Sequence, residues 1–210
     1  MYSSLIWDRL NLEDRETVTS RELREHAEAL GKNPENAITH LVRYGYLAPL
    51  FRGLYYVRSP GEVRLGRRRY NHLELMGIAL AKKRIDRWYF GLETALKLND
   101  LTHEYFASET LVTDRLYRIK GIEIDGRRFI ILKWKPQMLE FGLVTKGLIR
   151  FSDPEKTVLD LAYRARWNGL ATSEITGLVD GYRGRLDPSR LRRYLRRYPR
   201  SLQEVLERLT

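Results

Sequence analysis

Four residues in the first quarter of the chain combine hydrogen-bonding side chains with helical spacing. Thr39, His40 and Arg43 follow Asn36 at three, four and seven positions. On one helix, the side chains of all four residues therefore emerge side by side. All four can hydrogen-bond, and none carries a negative charge. Such a face suits contact with base edges in the major groove of DNA. Taken alone, it is explained equally well as the solvated side of an amphipathic helix.

The flanking sequence predicts the helix that carries this face and a second helix before it. Asn33 followed by Pro34 is typical of a helix start, and Gly45 is typical of a helix end. Upstream, Thr19 with Glu22 three residues later is a capping-box pattern. Two capped helices joined by a short turn are the plan of a helix-turn-helix, and this context favours DNA readout over the solvated-face interpretation.

A β-hairpin is predicted directly after the second helix. Residues 46–50 and 54–57 have the composition of strands, and Gly53 suits the turn because glycine adopts positive φ at little cost. Residues 1–62 are therefore predicted to form a winged helix-turn-helix domain. Its candidate contacts to the DNA backbone are Lys32, Arg52 at the tip of the hairpin, and Arg58.

Positive charge is concentrated behind this domain. The chain of 210 residues has a net charge of +11. Residues 1–62 carry 8 Lys/Arg and 9 Asp/Glu (net −1), residues 63–150 carry 18 and 10 (net +8), and residues 151–210 carry 12 and 8 (net +4). A strongly basic chain indicates a polyanionic partner, so we expect two arginine clusters to contact phosphates. The alternative is a solvated surface whose arginines pair with acids elsewhere. The clusters are Arg64, Arg67, Arg68 and Arg69, and then Arg190, Arg193, Arg196 and Arg197.

The remainder of the chain predicts a second domain over residues 63–210, after a boundary at the breaker-rich residues 59–61. We predict that this domain is mixed α+β and that it is helical from residue 153. The fold class is thus α+β, with an N-terminal winged helix-turn-helix followed by a mixed α+β domain that ends in a helical segment. The clearest markers are the Asp125-Gly126 hairpin turn, the Asp153-Pro154 helix start, and a capping-box pattern of Ser201 with Glu204 for a final helix that ends at Leu209.

Several functional classes find no support in the sequence. There is no cysteine, which excludes disulfides and thiolate chemistry, and no two histidines have metal-ligand spacing. P-loop, GxGxxG and nucleophile-elbow motifs are absent. No apolar run approaches the roughly 20 residues of a membrane span, and the first residues lack the features of a signal peptide. We therefore expect a cytoplasmic protein that is not an enzyme and holds no cofactor or metal.

A magnesium-dependent nuclease is the enzyme alternative. Asp114, Glu123 and Asp125, with Lys133, lie on or beside predicted strands, and acids with a lysine on neighbouring strands suit such chemistry. Asp125, however, is explained more economically by its Asp-Gly turn. The nuclease interpretation is therefore the weakest of those considered.

Three segments resemble one known family. They are LVRYGYLAPLFRGLY at 41–55, YFGLETALKLNDL at 89–101 and IRFSDPEKTVLDLAYR at 149–164. The first is similar to the N-terminal domain of AbiE-type antitoxins (the AbiEi family), and the other two are similar to helices of that family's second domain. The matching positions are Leu41, Gly45, Leu47, Arg52, Gly53 and Tyr55, and then Pro154, Glu155, Thr157, Leu159, Asp160 and Leu161.

The resemblance implies a transcriptional regulator of a type IV toxin–antitoxin system. Such a protein is a repressor that binds inverted repeats in double-stranded DNA, at an operator upstream of its own operon. Its C-terminal domain counters a nucleotidyltransferase-like toxin encoded beside it. The resemblance also implies that the Pro-Glu-Lys-Thr helix is a core element. The alternative is an antitoxin that acts mainly through protein contact with its toxin.

Overall fold

The computed structural model describes residues 3–207, which form a mixed α+β chain as the sequence predicts. The chain separates into two compact units. The first comprises the chain up to Lys83 together with the hairpin tip Ile122–Arg127, and the second comprises Arg84–Gly121 and the chain from Arg128 onward. Each unit has its own hydrophobic core. None of the helices in this part of the chain has the length and apolarity that crossing a bilayer requires.

The first unit combines five helices with a small sheet in its described residues. Its elements are α1 (Ser3–Leu12), β1 (Thr17–Thr19), α2 (Ser20–Ala29), α3 (Pro34–Arg43), β2 (Leu47–Phe51), β3 (Leu54–Val57), α4 (Pro60–Leu65) and α5 (His72–Lys82). The strands are antiparallel in the order β1-β3-β2, with Val18 opposite Tyr55 and Ala48 opposite Tyr56. This hairpin follows α3 directly, at the positions that the sequence predicts.

The core of the first unit lies between α1, α2, α3 and the sheet. Ile6, Leu10, Leu23 and Leu41 are each buried to 2% exposure or less. The capping box before α2 is confirmed, because Glu22 N donates to Thr19 Oγ1 at 3.2 Å while Thr19 N donates to Glu22 Oε2 at 2.7 Å. The local start signals and the apolar spacing of α2 and α3 therefore agree with each other.

The first unit extends further along the chain than the predicted domain of residues 1–62. The sequence predicts a boundary at residues 59–61, whereas the structure has the helix α4 there. Ser59 caps α4 in a second capping box with Glu62, and Pro60 occupies the first helical position. α5 follows with most of its side chains buried, and it packs against β2. Hydrophobic burial thus joins α5 to the first unit, together with the cluster Arg64–Arg69.

The second unit is built on a six-stranded sheet with helices. Its elements are β4 (Trp88–Phe90), α6 (Leu92–Leu98), β5 (Ser108–Thr113), β6 (Arg118–Ile124), β7 (Arg127–Lys133), β8 (Leu143–Lys146), β9 (Ile149–Ser152), α7 (Pro154–Trp167), α8 (Thr172–Tyr182), α9 (Pro188–Leu195) and α10 (Arg200–Leu206). The strand order is β6-β7-β5-β4-β9-β8, and the tip between β6 and β7 is counted with the first unit. Both parallel and antiparallel pairs occur, as in the β4 pairs with β9 and β5. Between residue 153 and residue 207, all elements are helices, as predicted for this segment.

The start of the last helix differs from the prediction. α10 begins at Arg200, and the carbonyl oxygen of Pro199 accepts hydrogen bonds from Leu202 N at 2.9 Å and Gln203 N at 3.2 Å. The expected capping box of Ser201 with Glu204 is therefore wrong, since Ser201 lies inside the helix. Glu204 instead accepts a hydrogen bond from Arg200 Nε at 3.1 Å. The predicted helix end, Leu209, lies outside the described residues.

Candidate nucleic-acid interface

The candidate reading face is positioned by the two ends of α3. Asn33 caps the helix by accepting a hydrogen bond from Asn36 N at 3.0 Å, and Pro34 begins the first turn. At the other end, Gly45 adopts a φ of 74°, which leads the chain into β2. Ala37 and Leu41 are buried on the inner side of the helix. The opposite side is thereby fixed toward solvent.

Three of the four predicted readers are exposed on α3, and the fourth is half-buried. Asn36, Thr39 and Arg43 are exposed. The ring of His40 stacks on the ring of Tyr44 with a centroid distance of 4.2 Å. Its Nδ1 is buried and has no hydrogen-bond partner within residues 3–207. His40 thus contributes to packing at the helix end as well as to the polar face.

The hairpin after α3 presents Arg52 to solvent. Arg52 is exposed in the turn between β2 and β3, and Gly53 beside it has a φ of 76°. The Gly53 carbonyl oxygen accepts a hydrogen bond from Ser20 N at 2.9 Å, which ties the turn to the start of α2. A side chain larger than hydrogen is strained at this φ, so the turn depends on glycine. Arg52 is therefore held at a fixed place near the helices.

The two other candidate backbone contacts have different surroundings. Lys32 is exposed in the turn before α3, and its backbone N–H donates to Ala27 O at 2.9 Å. Arg58 is half-buried, and its Nη2 lies 3.8 Å from Asp125 Oδ1 in the hairpin tip. The Arg58 carbonyl oxygen also accepts a hydrogen bond from Trp7 Nε1 at 2.6 Å. Arg58 therefore has structural partners that the sequence did not indicate.

The first arginine cluster lies on and after α4 within the first unit. All four of its members are exposed, but two of them are engaged. Arg68 forms an ion pair with Asp125, and the guanidinium of Arg69 lies 5.0 Å from the centre of the Tyr70 ring. Arg64 and Arg67 have no acidic partner within the described chain. These two arginines can therefore bind a phosphate without first breaking an ion pair.

A hydrogen-bond network around Glu62 holds this segment in place. Glu62 Oε2 accepts from Tyr56 Oη at 2.8 Å and from Ser59 N at 2.9 Å, while Oε1 accepts from Arg69 N at 3.0 Å. Burial alone would raise the pKa of Glu62, but these bonds outweigh it and lower the pKa below its ordinary value. The carboxylate is therefore ionised at neutral pH and orders the chain that carries the arginines.

An open groove of about 630 Å³ runs beside the reading face in the first unit. Ile38, Thr39, Val42 and Arg43 form its α3 side, and the β2–β3 hairpin forms another. The tip of the β6–β7 hairpin adds Ile122 and Glu123 to the lining. Most of the lining residues are apolar, and the polar ones include Thr39, Arg43, Arg52 and Glu123.

The second arginine cluster lies on and after α9 in the second unit. Arg190 Nη1 is 3.3 Å from Glu155 Oε2 of α7, so this arginine pairs with a buried acid. Arg193 lies over the ring of Tyr194 at 5.6 Å, and Arg197 lies over the ring of Phe141 at 5.1 Å. Both of these and Arg196 are exposed. Only Arg190 of the four therefore has an acidic partner within the part of the chain that the structure describes.

The segment PEKTVLDL forms a buried charged network in the core of the second unit. Lys156 Nζ lies 3.1 Å from Asp160 Oδ1, and both side chains are 0% exposed. Tyr198 Oη donates to Asp160 Oδ1 at 2.6 Å, and Tyr89 Oη donates to Asp160 Oδ2 at 2.9 Å. Burial lowers the pKa of Lys156 and raises the pKa of Asp160. The family resemblance implies that this helix is a core element, and the four-residue spacing of Lys156 and Asp160 places the two charges on one side of the helix. That both charges are fully buried is visible only in the structure.

The residues of the nuclease alternative have other partners or lie apart. Asp114 in the second unit lies 4.0 Å from Arg87 Nη1, while Asp125 in the first unit pairs with Arg58 and Arg68. No group of three or more His, Asp or Glu suited to a metal ion occurs within residues 3–207. The geometry therefore adds nothing in favour of metal-dependent cleavage.

Comparison with known proteins shows a likeness of fold. No family model and no curated protein matches the chain. It is similar to a solved structure, the crystal structure of the RV2827C protein from Mycobacterium tuberculosis, at 17% sequence identity and a TM-score of 0.58. The alignment covers 97% of this chain and 74% of that chain. Identity at this level supports a shared fold and carries no function with it.

Proposed function

We propose that the protein is a sequence-specific DNA-binding transcriptional regulator whose first unit contains a winged helix-turn-helix. The order α1, β1, α2, α3, β2, β3 supports this interpretation, because the second helix of the α2–α3 pair leads directly into a hairpin. In such a module the second helix of the pair lies in the major groove. The hairpin then corresponds to the wing.

The observation that carries the proposal is the exposed side of α3. Asn36, Thr39 and Arg43 are exposed on this side, and the opposite side is buried. Asparagine pairs well with adenine and arginine with guanine in the major groove. The half-buried His40 has a smaller part in this readout than its spacing predicts. Arg52, from the wing, contacts the DNA backbone or the minor groove.

Charge in the first unit also favours a nucleic acid. With α4, α5 and the hairpin tip included, this unit carries 15 Lys/Arg and 12 Asp/Glu, a net charge of +3. The unit that contains the proposed winged helix is therefore positively charged, although residues 1–62 alone have a net charge of −1. Arg64 and Arg67 neutralise phosphates from within the same unit, and Arg193, Arg196 and Arg197 do so from the second. Arg58, Arg68 and Arg190 contribute less, because each has an acidic partner.

Selection of bound sequences from random double-stranded DNA by the full chain tests this function. We expect enrichment of one motif, and an inverted repeat of that motif if the protein acts on its own operator. A titration of the enriched duplex against a scrambled duplex should show preferential binding that weakens with salt. Absence of any enriched motif would overturn the proposal.

The particular regulator that we propose is the autorepressing antitoxin of a type IV toxin–antitoxin operon. This step depends on the resemblance of the segments at 41–55, 89–101 and 149–164 to AbiE-type antitoxins. The partner is then a nucleotidyltransferase-like toxin encoded by the adjacent gene. The buried position of Glu155, Lys156 and Asp160 agrees with a structural role for the third segment.

A second candidate function, contact with a protein partner, is favoured by an exposed aromatic residue. Trp167 at the end of α7 is 80% exposed, and the nearby Leu170 is 37% exposed. Tryptophan is enriched among the residues that dominate protein interfaces. We expect co-purification of the adjacent gene product with the full chain and its loss in Trp167→Ala. Equal recovery with wild type and variant would remove this residue from such an interface.

We propose no catalytic activity, cofactor or metal for this protein. The nuclease alternative is tested by incubating the full chain with plasmid DNA and Mg²⁺. We expect intact plasmid, whereas cleavage that Glu123→Gln abolishes would establish the alternative.

A further inference from the structure

The tip of the β6–β7 hairpin is anchored to the first unit by an acid. Asp125 and Gly126 both adopt positive φ, 52° and 74°, as a tight two-residue hairpin turn requires. The side chain of Asp125 is only 5% exposed, and it forms ion pairs with Arg68 and, at 3.8 Å, with Arg58. The turn thus fixes the local backbone, and the ion pairs of Asp125 connect the tip to Arg58 and Arg68.

The anchored tip brings another acid to the α3 groove. Glu123, two residues before Asp125, is exposed and lines the same groove as Thr39 and Arg43. It forms no ion pair within the described residues, so its carboxylate is available to an incoming ligand. The groove thus combines a cation and a hydroxyl from α3 with a carboxylate from a distant part of the chain.

A carboxylate at this position is unfavourable for contacts to the DNA backbone alone. It repels phosphates, so it lowers the affinity for any duplex that binds only through its backbone. At a base edge in the major groove, however, a glutamate accepts a hydrogen bond from the N4 amino group of cytosine. An acid beside base-reading residues therefore favours one sequence and disfavours the others.

We propose that Glu123 is a specificity-determining residue that reads a cytosine next to the base contacts of α3. Asp125 is its positioning residue, because its ion pairs with Arg58 and Arg68 hold the tip against the first unit. This inference rests on the proposed DNA-binding function. It adds a reader from outside the helix-turn-helix, since Glu123 lies beyond the first domain predicted from the sequence.

The test is Glu123→Gln in the full chain, measured by sequence selection and by titration of the selected duplex and a scrambled one. Glutamine keeps one acceptor and adds an amino donor that suits adenine, so we expect the preference at one position to shift from cytosine toward adenine and the affinity for the selected duplex to fall about tenfold. The affinity for the scrambled duplex should rise, because one repulsive charge is lost. The control is Glu28→Gln, which removes an exposed acid of the same unit and should leave base preference unchanged.

Asp125→Asn tests the positioning role. Asparagine tolerates the positive φ of this turn, so the substitution removes the charge and preserves the backbone. We expect base preference to relax at the same position as in Glu123→Gln. An unchanged preference would overturn the positioning role of Asp125.

Two outcomes separate this inference from the proposed function. If wild type selects a motif and Glu123→Gln selects the same motif with equal or uniformly increased affinity, Glu123 is at most a repulsive charge and the inference is wrong. If wild type selects no motif, the proposed function fails before Glu123 is tested.

Discussion

Two helices of this protein begin with nearly the same residues and have opposite environments. α3 follows Asn33-Pro34-Glu35, and α7 follows Asp153-Pro154-Glu155. In both, the side chain before proline caps the helix by accepting a backbone hydrogen bond, from Asn36 N in α3 and from Lys156 N in α7. The polar residues of α3 then face solvent, whereas Lys156 and Asp160 of α7 are fully buried.

The difference arises from what packs against each helix. α3 contacts α1, α2 and β2, which cover one side only. α7 contacts α6, α8, α9 and α10, and its residues 155–160 are all buried. A polar side chain on α3 can therefore contact a binding partner. A buried charged side chain on α7 instead requires a counter-charge within the core. The comparison teaches that polar residues at helical spacing indicate a binding face only where neighbouring elements leave that side open.

The largest effect is expected from Asp160→Ala. This substitution leaves the Lys156 ammonium buried without its counter-charge and removes the acceptor of two tyrosine hydroxyls. We expect a loss of about 3–5 kcal/mol in the free energy of unfolding, measured by urea denaturation of the full chain. The control Asp180→Ala, an exposed acid of α8, should change it by less than about 0.5 kcal/mol. A similar small change in Asp160→Ala would show that the charges of α7 are not needed in its core.

A smaller effect, on binding only, is expected from Arg43→Ala on the exposed side of α3. Removal of a base reader should cost about 1–3 kcal/mol in binding to the selected duplex and relax the base preference at one position. The free energy of unfolding should not change, because Arg43 is exposed. Binding as tight as that of wild type in a gel-shift titration would remove α3 from the readout.

The caps of the two helices should differ in their contribution to stability. Asn33→Ala removes the acceptor of the hydrogen bond from Asn36 N and should lower the free energy of unfolding by about 1 kcal/mol. Asp153→Ala should cost more, since Asp153 is buried and also accepts from Tyr194 Oη at 2.9 Å. Chemical denaturation of both variants checks the order. Equal losses would mean that burial adds nothing to the cap of α7.

The smallest effect on DNA binding is expected from Arg196→Ala, in the arginine cluster on and after α9. If Arg196 contacts phosphate, the variant should bind all duplexes more weakly and lower the salt slope by about 0.9. Arg190→Ala should leave the slope unchanged, because Arg190 pairs with Glu155 of α7. Titrations at several salt concentrations compare the two. A larger change in slope for Arg190→Ala would contradict the pairing as the main role of that residue.

Local sequence predicts the starts of α2, α3 and α7 and the turns at Gly53 and Asp125-Gly126. The capping boxes and Asx-Pro starts involve residues at most three positions apart, so the sequence contains all their partners. The Asp125-Gly126 turn is likewise local, because the two positive φ values depend on residue type. The prediction is wrong at Ser201, because the helix begins at Arg200 and Ser201 therefore lies inside its first turn.

Much of the candidate site depends on segments that are distant in sequence. The sequence by itself determined the spacing of Asn36, Thr39 and Arg43 on one helix and the basic character of the chain. Only the tertiary structure decided that Glu123 lines the same groove as Thr39 and Arg43 and that Arg58 pairs with Asp125. The physical reason is that a helical period and a cap depend on neighbouring residues, whereas burial and ion pairing depend on which distant elements pack together.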